Sequence, residues 1–244
     1  MEFKIPTETV ELPSKGLLYP EGHPLASGTI EMKYMTAKEE DILSNQNYIK
    51  KGTVIEKLLQ SLIVTEVEFN SILIGDIDAI MVAARVLSYG KDYKFTYLGN
   101  TVEVNLAALG NKEIDENLYT RGENEFTFKL PKSGNEITFR LLTQGDDKAI
   151  AREIEGLKKI NKDNVAEVST RLKYMITSIN GSRDRADVRK YVDGFMLASD
   201  ARALREKYKR VSPGIDLSTE VESLDGEQEV VDIPIGVTFF WPDA

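Results

Sequence analysis

Residues 28–35 alternate apolar with polar positions, Ile30 and Met32 against Glu31 and Lys33, which predicts a strand. Thr36 follows as a helix N-cap. The spacing Thr36-Ala37-Lys38-Glu39 fits a capping box, in which Thr and Glu side chains satisfy free backbone N–H groups reciprocally. Residues 54–64 carry apolar positions at helical spacing. Another helix starts at Asp76, turns Ile77, Ile80, Met81, Ala84 and Leu87 inward and stops at Gly90. Residues 93–97 and 101–106 then alternate around Gly99-Asn100 and predict a hairpin.

The same grammar returns. A hairpin is expected over 125–130 and 136–142, with its turn at 132–135. Helices are expected over 146–160, 165–179, 185–197 and 200–211, and a last hairpin over 217–222 and 229–233. Ile30 to Thr36 matches Ile137 to Thr143 at an offset of 107 residues; Ile55, Leu59, Leu62 and Ile63 match Val168, Leu172, Met175 and Ile176 at 113. Asp76, Ala79, Ile80, Gly90 and Asp92 match Asp200, Ala203, Leu204, Gly214 and Asp216 at 124. The offset grows only between helices, where connections lengthen, and the period is too long for a solenoid. The expected fold class is α+β and internally duplicated, each half a strand or hairpin plus a helical cluster closed by a β-hairpin. The expected organisation is an N-terminal arm (1–27), a first repeat (28–109), a linker (110–124), a second repeat (125–236) and an aromatic C-terminal tail (237–244).

Composition narrows the chemistry. The 244 residues include 41% apolar ones, enough for a sizeable core. Net charge is −9, where nucleic-acid-binding domains are usually basic. The basic clusters Lys158-Lys159 and Lys207 to Arg210 lie in helical patterns beside acidic residues and read as solvated faces. Tyr93, Phe95 and Tyr97 share one face of a strand and read as a core-facing aromatic row rather than a base-stacking platform. There are no cysteines, so disulfides, thiolate zinc sites and a cysteine nucleophile are excluded. No signal peptide or membrane span is legible, and a soluble protein assembled in the cytosol is expected.

Catalytic constellations are scarce. The one histidine, His23, sits between Gly22 and Pro24 and has no cysteine to pair with. Glu39-Glu40-Asp41 and Asp146-Asp147 are the carboxylate clusters a metal-dependent hydrolase would use, but both fall in a first helical turn, where the helix dipole favours negative charge. No dinucleotide or Walker-type motif occurs, and Ser14-Lys15-Gly16 is too short to cradle a phosphate. Two segments look built for contact: Leu17, Leu18 and Tyr19 in a Pro-bounded arm, and Phe239, Phe240, Trp241 and Pro242 at the end. Aromatic residues dominate interface hot spots, although the same residues suit closure of the chain's own core.

Leu12 to Gly16, Gly28 to Glu31 running into Met35 to Leu43, Thr170-Arg171-Leu172, Arg202 to Arg205 and the ending Val231 to Pro242 resemble the phage baseplate family typified by a T-even baseplate hub protein. The resemblance implies a non-enzymatic structural component of a contractile phage tail, a baseplate hub subunit, with other tail and baseplate proteins as partners. It implies a place in the virion after assembly in the host cytoplasm. A transient hub assembly factor or chaperone is the alternative, and a carboxylate-dependent hydrolase a remoter one. The resemblance implies a CxxC pair in the hairpin after each helical cluster of many members, which reads as a zinc ribbon. Here those places hold Leu98-Gly99-Asn100 and Leu224-Asp225-Gly226-Glu227, so no zinc or other cofactor is expected.

Overall fold

The computed structural model describes residues 4–160, 166–222 and 228–241. In the first half, β1 (Thr7–Glu11) pairs antiparallel with β2 (Thr29–Lys33), Val10 opposite Ile30. Helices α1 (Ala37–Leu43), α2 (Gln46–Lys50) and α3 (Val54–Leu62) follow. The chain then returns to the free side of β2 through a bridge between Met32 and Ile63. Helix α4 (Ile74–Tyr89) crosses the core and ends at Gly90, whose φ of 83° suits a residue without Cβ. The hairpin β3 (Asp92–Tyr97) and β4 (Asn100–Asn105) turns on Leu98 and Gly99, both at positive φ.

The second half also opens on an antiparallel strand pair, then differs in its helices and gains a third strand. Strand β5 (Phe126–Lys129) pairs antiparallel with β6 (Glu136–Phe139). Helices α5 (Gln144–Ile160) and α6 (Glu167–Met175) follow, and β7 (Ile176–Ile179) returns to the free side of β6. Then come α7 (Arg185–Gly194), α8 (Ala198–Val211) and the hairpin β8 (Ser218–Glu222) with β9 (Gln228–Asp232). The halves share one apolar core, which includes Ile30, Leu58 and Ile80 from the first and Ile137, Phe139 and Leu204 from the second. They are joined backbone to backbone: Ile74 donates to the Leu142 carbonyl at 3.1 Å and Gln144 to the Ile72 carbonyl at 2.8 Å. A Cβ on Gly75 would lie 1.9 Å from the Pro213 carbonyl oxygen, so only glycine permits that approach.

One device recurs at four helix starts. The third residue of α1, α4, α5 and α8 is a carboxylate: Glu39, Asp76, Asp146 and Asp200. Glu39 accepts from the Thr36 N–H at 3.0 Å, the Thr36 hydroxyl at 2.5 Å, the Lys33 ammonium at 2.8 Å and the Ser61 hydroxyl at 2.8 Å. Burial alone would raise its pKa, but these donors outweigh that and hold it at about 2. Asp146 repeats the arrangement. It takes a bidentate Arg140 at 2.6 and 2.8 Å and both the N–H and hydroxyl of Thr143 at 2.9 Å.

The other pair clamps a loop. Asp76 accepts from the Ser14 N–H at 3.0 Å, the Ser14 hydroxyl at 2.7 Å and the Tyr19 hydroxyl at 2.7 Å. Asp200 accepts from the N–H groups of Lys132 and Ser133 at 2.8 and 3.0 Å. Both loops follow the first strand of their half. They read Leu12-Pro13-Ser14-Lys15-Gly16 and Leu130-Pro131-Lys132-Ser133-Gly134, each closed by a glycine at φ 74°.

Several elements depart from expectation. Of the arm expected over 1–27, the described residues do not hang free, since β1 is an integral strand; its sequence Thr-Glu-Thr-Val-Glu has no apolar alternation to betray it. The helix expected over 165–179 stops at Met175. Its last four residues, the β-branched-rich Ile176-Thr177-Ser178-Ile179, pair with β6 instead. Residues 110–124, expected as a linker, are stitched in place: Lys112 donates to the Gly214 carbonyl, Gly122 to the Leu17 carbonyl and the Tyr119 hydroxyl to the Val211 carbonyl. The turn of the last hairpin, 223–227, lies outside the described residues.

Two outcomes follow from the carboxylates. Asp76→Ala leaves the Ser14 and Tyr19 donors buried without an acceptor, so urea unfolding should show a loss of roughly 3 kcal/mol or more. Glu39 has a folded pKa below its ordinary 4.5, so its stabilisation is complete above that value and is lost as pH falls from about 4.5 toward 2. Asp76 acts in the opposite sense, because burial raises its carboxyl. Stability measured across this window should therefore fall less steeply in Glu39→Gln than in the parent.

Candidate interaction surfaces

The expected contact residues begin in the loop held by Asp76. Its turn runs through Lys15 at φ 50° and Gly16, where an added Cβ would lie 2.5 Å from the Ala26 carbonyl oxygen. The turn sends Leu18 and Tyr19 inward, and both are buried in the chain's own core. The Tyr19 hydroxyl donates to Asp76 and accepts from the Leu73 N–H at 3.0 Å; burial first, and the Asp76 charge second, push its pKa up. His23 stacks on Tyr19 at 4.6 Å between ring centroids, with Nδ1 accepting from the Leu25 N–H and Nε2 3.0 Å from Ser71 Oγ. Burial lowers the pKa of His23. Leu18 and Tyr19 are thus core residues of the first half, contrary to a partner-facing role, because a buried carboxylate draws the tyrosine in. Leu17 is half-buried.

The C-terminal aromatics divide in the same way. After β9 the chain crosses back to the first half and forms a 3-10 turn over Val237–Phe240. Phe239 and Phe240 are fully buried, edge to face at 5.3 Å, and Phe239 packs on Tyr93 at 4.9 Å. The cause is Arg85 of α4, only 2% exposed. Its Nε donates to the Phe239 carbonyl at 3.0 Å, and its two Nη atoms donate to the Gly90 and Asp92 carbonyls at 2.9 and 3.3 Å. The Tyr93 hydroxyl donates to the Pro234 carbonyl at 3.1 Å. Phe239 and Phe240 are therefore self-packed, which corrects their assignment as partner anchors. Pro242 lies outside the described residues.

Trp241 is the exception, with 37% of its surface exposed. It flanks an apolar cleft of about 280 Å³ lined by Leu43, Gln46, Ile49 and Val237. Ile49, equally exposed, escaped the sequence reading because it stands in the polar run Ser44 to Gly52, where no periodicity marks it. Beside Trp241 a second, polar cleft of about 570 Å³ is lined by Arg85, Tyr89, Tyr93, Lys94 and Thr96.

The carboxylate clusters are otherwise engaged. Asp146 is held by Arg140, and Asp147 accepts from Arg171 at 2.9 Å. Among the described residues no three His, Cys, Asp or Glu converge as a metal site. No helix among them is long and apolar enough to cross a membrane.

Comparison with known proteins agrees with the folded pattern. The family model described as T4 bacteriophage base plate protein matches residues 5–183, from the start of β1 to just past β7. No curated protein and no solved structure matches the chain. With most of its length covered by that match, the chain belongs to the T4 bacteriophage base plate protein family.

Proposed function

We propose that the protein is an internally duplicated structural subunit of the baseplate hub of a contractile phage tail, working through contacts with other tail proteins rather than catalysis. Family membership supports the baseplate. The observation that carries the contact role is the Trp241 cleft. The tail of the chain buries two aromatics and leaves the third at the edge of an open apolar groove with Ile49. Large aromatics in such positions are typical interface anchors. Supporting the duplication, Lys33, Thr36 and Glu39 have the same relation in space as Arg140, Thr143 and Asp146, and Asp76 holds its loop as Asp200 does.

The transient assembly factor makes the same contacts and then leaves. Purified tails decide between the two: mass spectrometry should find the protein at a fixed stoichiometry, and its absence from finished tails would assign it the assembly role. In the same assay Trp241→Ala should cut incorporation several-fold while changing stability by less than about 1 kcal/mol, since the ring is only part-buried. Equal losses in both would make Trp241 ordinary core.

The proposal includes no zinc. The first hairpin turns on Leu98 at φ 47° and Gly99 at φ 85°, with no thiolate in the chain to ligate a metal. A chelator should leave the melting temperature unchanged, and about one tightly held zinc per chain would contradict this.

A further inference from the structure

Charge is not spread evenly along this acidic chain. Residues 140–211 carry 17 Lys or Arg against 11 Asp or Glu, a net charge of +6. Residues 212–244 carry 8 Asp or Glu and no Lys or Arg. The two stretches fold into separate elements, the helices α5 to α8 and the hairpin β8–β9.

Each has an open face. On the hairpin, alternation points Val221 and Val231 inward, and both are buried. The outward positions include Val230, which is 65% exposed, Glu220 directly across from it, and Asp232 two residues on. An exposed valine thus stands between two carboxylates. On the helical side, the turn from α7 into α8 leaves Phe195 63% exposed and Leu197 exposed beside it. They adjoin an apolar cleft of about 290 Å³ lined by Val168, Leu172, Val192, Met196 and Ala201.

Helix α8 continues from that cleft with a basic outer face. Arg202 is held by Glu206 at 2.9 Å. Arg205 folds back one turn to the Ala201 carbonyl at 3.3 Å, which places it at the cleft. Arg205, Lys209 and Arg210 have no ion pair among the described residues.

We propose that these two faces fit each other between copies, so that the chain associates head to tail with itself. The Val230 face of one copy seats on the Phe195–Leu197 cleft of the next, with Glu220 and Asp232 against Arg205 and Lys209. Opposite charge selects this pairing and steers it, while the apolar centre supplies burial that phosphate groups could not use. The two faces differ, so the contact is heterologous. Such contacts build rings or open arrays rather than closed pairs. The inference rests on these surfaces alone and holds for a hub subunit or an assembly factor alike.

Sedimentation of the full-length protein tests it. At about 50 mM salt the protein should associate progressively up to about 100 μM, and about 0.5 M salt should weaken this at least several-fold. Two double variants, Arg205→Glu with Lys209→Glu and Glu220→Lys with Asp232→Lys, each remove one face at exposed sites. Each should be monomeric alone and retain the parent's circular dichroism. Mixed, they meet through parent faces at one contact and charge-swapped faces at the next, so salt-sensitive association should return. A parent that is monomeric throughout, variants that associate like the parent, or a mixture that stays monomeric would overturn the proposal. A monomeric parent that loses a different tail protein through the α8 variant would assign that face to the other partner and overturn it equally.

Discussion

A carboxylate at the third residue of a helix is the constraint around which this protein is arranged. There the free N–H groups of the first turn and the helix dipole already favour negative charge. The chain uses the position for more than capping. Glu39 and Asp146 reach back to a basic residue at the end of the preceding strand or just past it, and so fix the angle at which strand enters helix. Asp76 and Asp200 reach across 62 and 68 residues to a loop after the first strand of their own half. Local caps thereby become long-range ties. Loss of one would free both a helix start and a distant loop.

What could be read in advance follows from range. The capping box at Thr36 and Glu39 was legible because both partners lie within one turn. The hairpin after Tyr97 was legible because turn chemistry is local. The repeated basic–Thr–acid motif was visible as a pattern, but its meaning, one carboxylate holding strand, cap and helix together, was not. β1 escaped because Thr7 to Glu11 earns its place only by pairing with residues some twenty positions on. β7 reads as helix in the sequence because Leu172, Met175, Ile176 and Ile179 keep helical spacing, and only the free edge of β6 decides otherwise.

The contact residues were legible by type and not by destination. Leu18, Tyr19, Phe239 and Phe240 were recognisable as residues that must bury against something. The chain's own Asp76 and Arg85, 57 and 154 positions away, decide that it is this molecule. Arg85 sits in α4 among Ala84, Val86 and Leu87, where a lone arginine in a helix reads as solvent-exposed. Its guanidinium instead serves three backbone carbonyls and spreads its charge over the rings of Tyr89 and Tyr93. Trp241 is left over once that clamp is full.

The return of the second half to the first also sets an order of events during synthesis. Tyr93 and Arg85 leave the ribosome long before Phe239 does. Tyr93 and Phe239 are 146 positions apart, and elongation at about 5–20 residues per second separates them by roughly 7–30 s. For that interval the C-terminal end of α4 and the face of β3 lack the aromatic pair that covers them, and the buried guanidinium lacks one of its carbonyls. Until then the N-terminal half lacks part of its own packing. Its last step waits for the far end of the chain, and the nascent protein carries an exposed apolar seam through most of its own translation.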